Sequence, residues 1–353
     1  MKFLKILILI LIIVVSVGFY LVNNSHYVQD RLLERAITNL VPDQFLDEDD
    51  TLRAIVCGSR SPVPSPNRAQ TCVLVEAGDD IYIVDTGDGS FNNVNSYGIP
   101  WTNVKAIIFT HLHSDHISDL ADFHLQGWVN GRDGKLLVHG PKGVKSVTDG
   151  FELTYSQDYI FRNSHHGDEV TPISNAGYIA NTISLETPTF VNTNDLKISA
   201  FEVQHSPVEP AYGIRFDYKG RSIVISGDTI YSENLINKSK DADVLIHEVM
   251  SIPLLNTLEK TIRATGNTNL SKILFDVQDY HATAIEAAES AKKANVGHLI
   301  TYHALPAPRN NIMESIFYRG VDDIFPNFTP SIDGTMVTLP VNTDEIIISH
   351  FGE

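Results

Sequence analysis

The sequence predicts a layered α/β fold, on three observations. Strand-like and helical runs alternate over about 300 residues, no repeat or low-complexity stretch divides them, and five strand-like runs end in a histidine or aspartate at a turn. Ile81 to Val84 delivers Asp85, followed by Thr86 and Gly87. Val104 to Phe109 leads into Thr110-His111-Leu112-His113-Ser114-Asp115-His116. Phe201 to Gln204 runs into His205, Ser222 to Ser226 passes through Gly227 into Asp228, and Leu299 to Tyr302 runs into His303. The helical stretches are Ser118 to Gly127, Leu254 to Ala264 and Ala284 to Ala294, the last opened by a capping box of Thr283 with Glu286.

The segment from Thr110 to His116 carries the chemistry. Residues two apart on an extended chain point the same way, so His111 and His113 can grip one cation. A turn into the following helix swings Asp115 and His116 toward a second, neighbouring site. Imidazole with carboxylate suits zinc better than magnesium or calcium, which take oxygen shells. A histidine-rich surface loop is the competing reading. It does not explain why four other strand ends offer the same donor types, the arrangement by which scaffolds build metal sites.

With these motifs in place, the chain resembles the metallo-β-lactamase superfamily, nearest the branch of ribonuclease Z and the zinc arylsulfatases. The anchors are V-D-T-G (84–87), T-H-L-H-S-D-H (110–116), His205, S-G-D-T (226–229) and T-Y-H (301–303). Branch-specific markers are P-A-Y-G-I-R-F (210–216), H-E-V-M (247–250) and H-A-T (281–283). The resemblance implies an αββα sandwich with two zinc ions at one edge. It places His111, His113 and His205 on one ion, Asp115, His116 and His303 on the other, and Asp228 between them. Asp85 would orient a ligand from behind, and the branch is often dimeric.

Two zinc ions about 3.5–4 Å apart can share a hydroxide that attacks phosphorus, sulfur or a carbonyl carbon. Asp115 would orient this nucleophile. His281, assisted by Glu248 and with His247 adjacent, is the candidate to protonate the leaving group, help worth about 10²–10⁴-fold. The capping box already serves the helix after Thr283, so His281 is not needed as a cap. The branch shows an H-E-A-T-like sequence where this chain has His247-Glu248-Val249-Met250, so the Ala-Thr pair is lost. His247 is equally readable as a hydrogen-bonded structural residue. His124 and His139 read as packing residues, and His26, His298 and His350 carry no signal. His165-His166 fall in a loop-like insert (Ser164 to Asn175) that could overhang the site. The substrate pocket is expected from Ser61 to Ala69, Tyr155 to Asn175 and Leu305 to Asn311, with Arg162 and Arg309 as conceivable anion contacts.

Three segments are expected: residues 1–23 as signal anchor or signal peptide, 24–50 as amphipathic helix and linker, and 51–353 as the hydrolase domain. Lys2 and Lys5 precede an apolar run, Ile6 to Val22, at the short end of the roughly 17–25 residues that span a bilayer. Cleavage after Ser16-Val17-Gly18 is the alternative to an uncleaved anchor. Either way the catalytic domain is expected on the periplasmic or extracellular face. Gln29 to Leu40 reads as an amphipathic helix, and Asp47 to Asp50 as a solvated join. Cys57 and Cys72 are equally readable as a disulfide or as two buried thiols.

Lys and Arg total 26 against 43 Asp and Glu, a net charge of −17, where nucleic-acid binders show a basic stripe. Ribonuclease Z enzymes carry a long arm between the third-motif histidine and the bridging aspartate. Here only 22 residues separate His205 from Asp228. The expectation is therefore an exported dinuclear-zinc hydrolase of a small anionic ester, of arylsulfatase or phosphodiesterase type. The alternatives are a ribonuclease Z-type endonuclease for transfer-RNA 3′ ends, a lactone or β-lactam hydrolase, and a catalytically inactive, membrane-tethered binding module.

Overall fold

The computed structural model describes residues 2–40 (side chains through 37) and 50–352; the expected join at Asp47-Glu48-Asp49 lies outside the described residues. Two compact units emerge, Met1–Phe45 and Leu46–Glu353. In the first, α1 (Lys2–Asn24) is an exposed, strongly apolar helix of 23 residues. At 1.5 Å per residue it extends about 35 Å, enough to cross a hydrocarbon core of about 30 Å. α2 (His26–Leu40) starts three residues before the expected amphipathic stretch.

The second unit is a mixed α/β sandwich. Its strands are β1 (Thr51–Gly58), β2 (Cys72–Ala77), β3 (Asp80–Val84), β4 (Val104–Ile108), β5 (Leu136–Gly140), β6 (Tyr178–Thr182), β7 (Thr189–Asn192), β8 (Leu196–His205), β9 (Val208–Tyr218), β10 (Arg221–Ile225), β11 (Val244–Met250), β12 (His298–Leu305), β13 (Phe328–Pro330), β14 (Thr335–Pro340) and β15 (Ile347–His350). Its helices are α3 (Ser90–Ser96), α4 (Ser114–Ile117), α5 (Leu120–Val129), α6 (Val144–His166), α7 (Glu233–Lys238), α8 (Ile252–Ala264), α9 (Thr268–Asp276), α10 (Ala284–Ala294), α11 (Asn311–Phe317) and α12 (Val321–Ile324).

One sheet runs β15-β14-β1-β2-β3-β4-β5-β6 and the other β13-β12-β11-β10-β9-β8-β7. They face each other over a single apolar core, in which Leu52, Val73 and Ile108 from one meet Ile198, Ile214, Ile223 and Ile300 from the other. The outer face of the second sheet (Val224, Leu245, Leu299) is covered by Ala287, Ala288 and Ala291 of α10, where small side chains let the helix approach closely. α6 packs against β5 and β6 outside the first sheet. Strands buried on both faces read as apolar runs, as Ile223 to Ile225 of β10 and Val244 to Ile246 of β11 do. The capping box of Thr283 and Glu286 is formed at α10.

Cys57 and Cys72 form a disulfide between β1 and β2, settling the choice the sequence left open. A second difference concerns Ser164 to Asn175. α6 continues through His166, so His165 and His166 are the exposed last turn of a long helix rather than part of a loop.

Candidate metal centre

The donors gather where strand ends of both sheets meet. β4 stops at Ile108, Thr110 turns the chain, and His113 immediately precedes α4, whose first turn carries Asp115 and His116. β8 ends on His205, and β10 runs through Gly227 to Asp228. Gly227 has φ 63°, and an added Cβ would collide with the Tyr212 carbonyl, so the turn that aims Asp228 requires glycine. His303 lies within β12 rather than after it. It sits where the β11–β12 register shifts between Glu248 and Met250, with φ 47°. Asp85 also holds a left-handed conformation, φ 61°. Non-glycine residues in this region cost free energy and cluster at functional sites.

Three groups of potential ligand atoms result, each within 4.8 Å mutually: His111, His113, His205 and Asp228; Asp115, His116 and His303; and Asp228, His281 and His303. In the first, His113 Nδ1 lies 3.0 Å from His111 Nε2 and 3.4 Å from His205 Nε2. In the second, Asp115 Oδ2 lies 3.3 Å from His303 Nε2 and 3.6 Å from His116 Nε2. Asp228 Oδ2 stands between the groups, 3.3 Å from His303 Nε2, 3.4 Å from His116 Nε2 and 3.8 Å from both His111 Nε2 and His205 Nε2. A tetrahedron with bonds of 2.0–2.1 Å has edges of about 3.4 Å, so these separations fit donors arranged around ions. Two buried atoms of the donor residues, His116 Nε2 and Asp228 Oδ1, have no hydrogen-bond partner, as expected where a cation would be held.

Electrostatics points the same way. Burial opposes charge on Asp228, but His303, His116 and His111 outweigh it and hold the carboxyl well below its usual range. Burial alone would lower His116, yet Asp228, Asp85 and Asp115 raise it well above the ordinary imidazole value. His111 is held well below, by burial first and neighbouring imidazoles after. Buried anionic charge of this kind calls for a cation.

Behind the ligands, hydrogen bonds fix the His116 and His205 rings. Asp85 Oδ1 accepts from the Thr110 amide at 2.9 Å; its Oδ2 accepts from the Thr110 hydroxyl and from His116 Nδ1, both at 2.8 Å. His205 Nδ1 donates to the Tyr280 carbonyl at 2.9 Å, which leaves Nε2 as the ligand atom. Glu248 Oε1 accepts from the Thr229 amide (3.1 Å), the Ala282 amide (3.2 Å) and His281 Nδ1 (2.9 Å). That carboxylate therefore joins the turn after β10 to the loop carrying His281. Burial pushes Glu248 well above the usual carboxylate range and lowers His281. The His281 ring stacks on His303 with centroids 5.3 Å apart, and His281 lines the cavity over the centre.

His247 is not brought to the site. It is fully buried, its Nδ1 donates to the Glu248 carbonyl at 2.6 Å, and burial lowers it to about 4, so its place is structural. Arg162 is paired with Asp158 at 2.7 Å on α6 and lines no cavity over the centre, whereas Arg309 does. The expected pocket segment Tyr155 to Asn175 contributes no lining; the walls are Pro62 to Pro64, Leu305 to Ala307 and, unforeseen, α8 and α9. The Tyr280 carbonyl was missed, because a backbone acceptor leaves no pattern in a sequence; Thr110 and Thr229 stand in the anchor motifs, and the structure supplies their partners, Asp85 and Glu248. His124 and His139 are buried packing residues, the first accepting the Gly177 amide at 2.7 Å.

Two facing sheets flanked by helices, with a His/Asp donor set at their shared edge, define the class: a metal-binding α/β sandwich of hydrolase type. The profile of the metallo-β-lactamase superfamily matches residues 66–294, and the chain belongs to that superfamily. Ribonuclease Z of Mycobacterium bovis is 31% identical over 261 residues, covering 72% of this chain and 87% of the relative. The short form of human tRNase Z superposes with TM-score 0.58 at 18% identity, over 82% of this chain and 100% of that one. A metallo-β-lactamase fold protein from Bacillus subtilis does so with TM-score 0.56 at 20% identity, over 81% and 98%. The structural likenesses speak for the fold alone.

Proposed function

We propose that this chain is a metal-dependent phosphodiester hydrolase working through two zinc ions. The observation that carries the reading is Asp228 Oδ2, buried among four ligand nitrogens at 3.3–3.8 Å, two from each of the His111 and His116 groups. The imidazole-rich donors suit zinc. Among the readings the sequence left open, the relatives named ribonuclease Z favour phosphodiester chemistry, and so the ribonuclease Z alternative over the arylsulfatase. The full donor set supports an enzyme rather than an inactive module.

When bound, the ions would bring a water's pKa toward neutrality and polarise the ester's phosphoryl oxygens. The chain's own residues supply the rest. Asp115 lines the cavity and is placed to accept a hydrogen bond from the attacking water. His281, its Nδ1 held by Glu248, acts as the imidazolium: Nε2 gives its proton to the leaving oxygen as the P–O bond breaks, the ring is left neutral, and solvent returns the proton for the next turnover. The disulfide and the apolar α1 support an exported, membrane-tethered enzyme.

The test is turnover of bis(p-nitrophenyl) phosphate, p-nitrophenyl sulfate, a lactone and precursor transfer RNA by zinc-loaded chain, with metal quantified. Phosphodiester turnover lost in Asp228→Ala, with sulfate and lactone untouched, is expected. Two bound zinc ions with every phosphodiester intact would overturn it.

A further inference from the structure

We propose that the substrate is a phosphodiester carrying a long alkyl or acyl chain, a membrane lipid, whose chain lies in the groove between α8 and α9. The inference deepens the phosphodiesterase reading and rests on it. A cavity of about 870 Å³, within the range of small-molecule sites, has His113, Asp115, Asp228, His281 and His303 at one end. The rest of its wall is apolar: Leu254, Leu258 and Ile262 of α8 face Leu270, Ile273 and Leu274 of α9. Leu254, Leu258 and Ile262 recur at four-residue spacing and so form one helix face.

This groove is built on the fold rather than creased into its surface. Met250, Leu255, Leu274 and Leu305 form a buried cluster beneath it, against which Val63, Leu258 and Ile262 pack. Yet Leu270 and Ile273 remain 39% and 55% exposed on its rim. Within the second unit nothing among the described residues covers this rim, and the lining continues into the reacting centre. An apolar group attached to the scissile phosphate is therefore the occupant that fits.

Charge argues against a polyanion. Arg309 is the one Lys or Arg in the groove's lining. On the other side of the centre, the cavity beside His205 is lined by Glu202, Glu209, Glu233 and Asp279, with no Lys or Arg. RNA is held through many phosphates by many cations, and this surface supplies the opposite sign. The interval from His205 to Asp228 is used up by β9, β10 and their turns, leaving no arm to hold one. The same chain carries a helix able to enter the phase where lipid phosphodiesters reside.

The experiment uses the full-length, zinc-loaded chain held in amphipol. Its substrates are p-nitrophenyl alkyl phosphodiesters from ethyl to dodecyl, each below its micelle concentration, beside bis(p-nitrophenyl) phosphate, phosphatidylethanolamine vesicles and precursor transfer RNA. The expected result is kcat/KM rising by about fourfold per added methylene over the shorter chains, equivalent to about 0.8 kcal/mol each. Vesicle lipid is cleaved, and the dodecyl-to-ethyl ratio falls at least tenfold in Ile273→Lys or Leu270→Lys, both rim positions whose replacement disturbs no core. Cleavage of bis(p-nitrophenyl) phosphate with no chain-length dependence, or of transfer RNA in preference, overturns the lipid inference and leaves the phosphodiesterase reading standing. A slope without vesicle cleavage overturns the membrane source. No cleavage of any diester overturns both.

Discussion

Replacing Asp85 by asparagine tests how the centre is held. Asparagine tolerates the left-handed conformation at this position, so the backbone at φ 61° is not the perturbation. The change falls on hydrogen bonds. The carboxylate accepts three at 2.8–2.9 Å: from the Thr110 amide, the Thr110 hydroxyl and His116 Nδ1. An amide can keep one oxygen for the Thr110 amide, and its NH2 then faces the other two groups. The Thr110 hydroxyl can rotate to accept. The imidazole can do so only by moving its proton from Nδ1 to Nε2, and Nε2 is the atom aimed at Asp115 and Asp228. A protonated Nε2 cannot ligate. Loss of such a supporting carboxylate typically weakens metal binding 10–100-fold, about 1.4–2.7 kcal/mol. The weakening is expected for the ion at Asp115, His116 and His303, with the ion at His111, His113 and His205 little changed. Chelator competition with a zinc indicator, resolving two affinities per chain, reads this directly, and thermal unfolding of the metal-free variant controls for the fold. If both affinities stay within twofold of the parent while the fold is intact, the reasoning about Asp85 is wrong.

Three further outcomes follow from the geometry. His281→Asn keeps a donor for Glu248 but removes Nε2, so turnover of diesters with alkoxide leaving groups should fall about 10²–10⁴-fold. p-Nitrophenolate, which leaves without a proton, should suffer much less, and an equal loss on both substrates would remove His281 from acid catalysis. Burial, with Arg132 and Lys135 adding, lowers His124 to about 3 against 6.5 unfolded. Its neutral form thus gives stability that is complete above pH 6.5 and is lost as pH falls toward 3. Between pH 7 and pH 5 the loss is about 2 kcal/mol, and denaturant unfolding of His124→Gln should show a pH dependence shallower by that amount. Replacing Cys57 and Cys72 by alanine opens a cross-link spanning 15 residues and should lower unfolding stability by about 3 kcal/mol, read from denaturant midpoints.

The donors could be read in the sequence because each follows an apolar, strand-like run that gives way to polar side chains. Period-two alternation puts His111 and His113 on one side, and the short α4 brings Asp115 and His116 round as a turn would. His303 was found despite its strand continuing past it, since Leu299 to Tyr302 alone suffices to mark the run. What sequence cannot express is the partner of a buried polar group. His247 and His281 look alike as letters. The structure gives one a backbone carbonyl inside the core and the other a carboxylate at the cavity wall. The α6 extension was missed because Ser164, His165, His166 and Gly167 read as a turn, although only Gly167, at φ 74°, stops the helix.

The departure from H-E-A-T and the unforeseen groove have a common physical root. In place of the Ala-Thr pair, Val249 and Met250 are both buried, and Met250 lies in the cluster with Leu255, Leu274 and Leu305 that supports α8 and α9. Each of these helices needs apolar residues on the side facing the core, which periodicity reveals. Leu254, Leu258 and Ile262 pack on the buried clusters and also line the cavity with Ile273, and a sequence does not distinguish a stripe that meets only protein from one that also meets a ligand. His281 and Glu248 beside this region keep their hydrogen bond, and the metal-ligand groups remain complete. The reacting end thus retains what hydrolysis requires, while the wall that chooses the substrate is made of side chains no motif records.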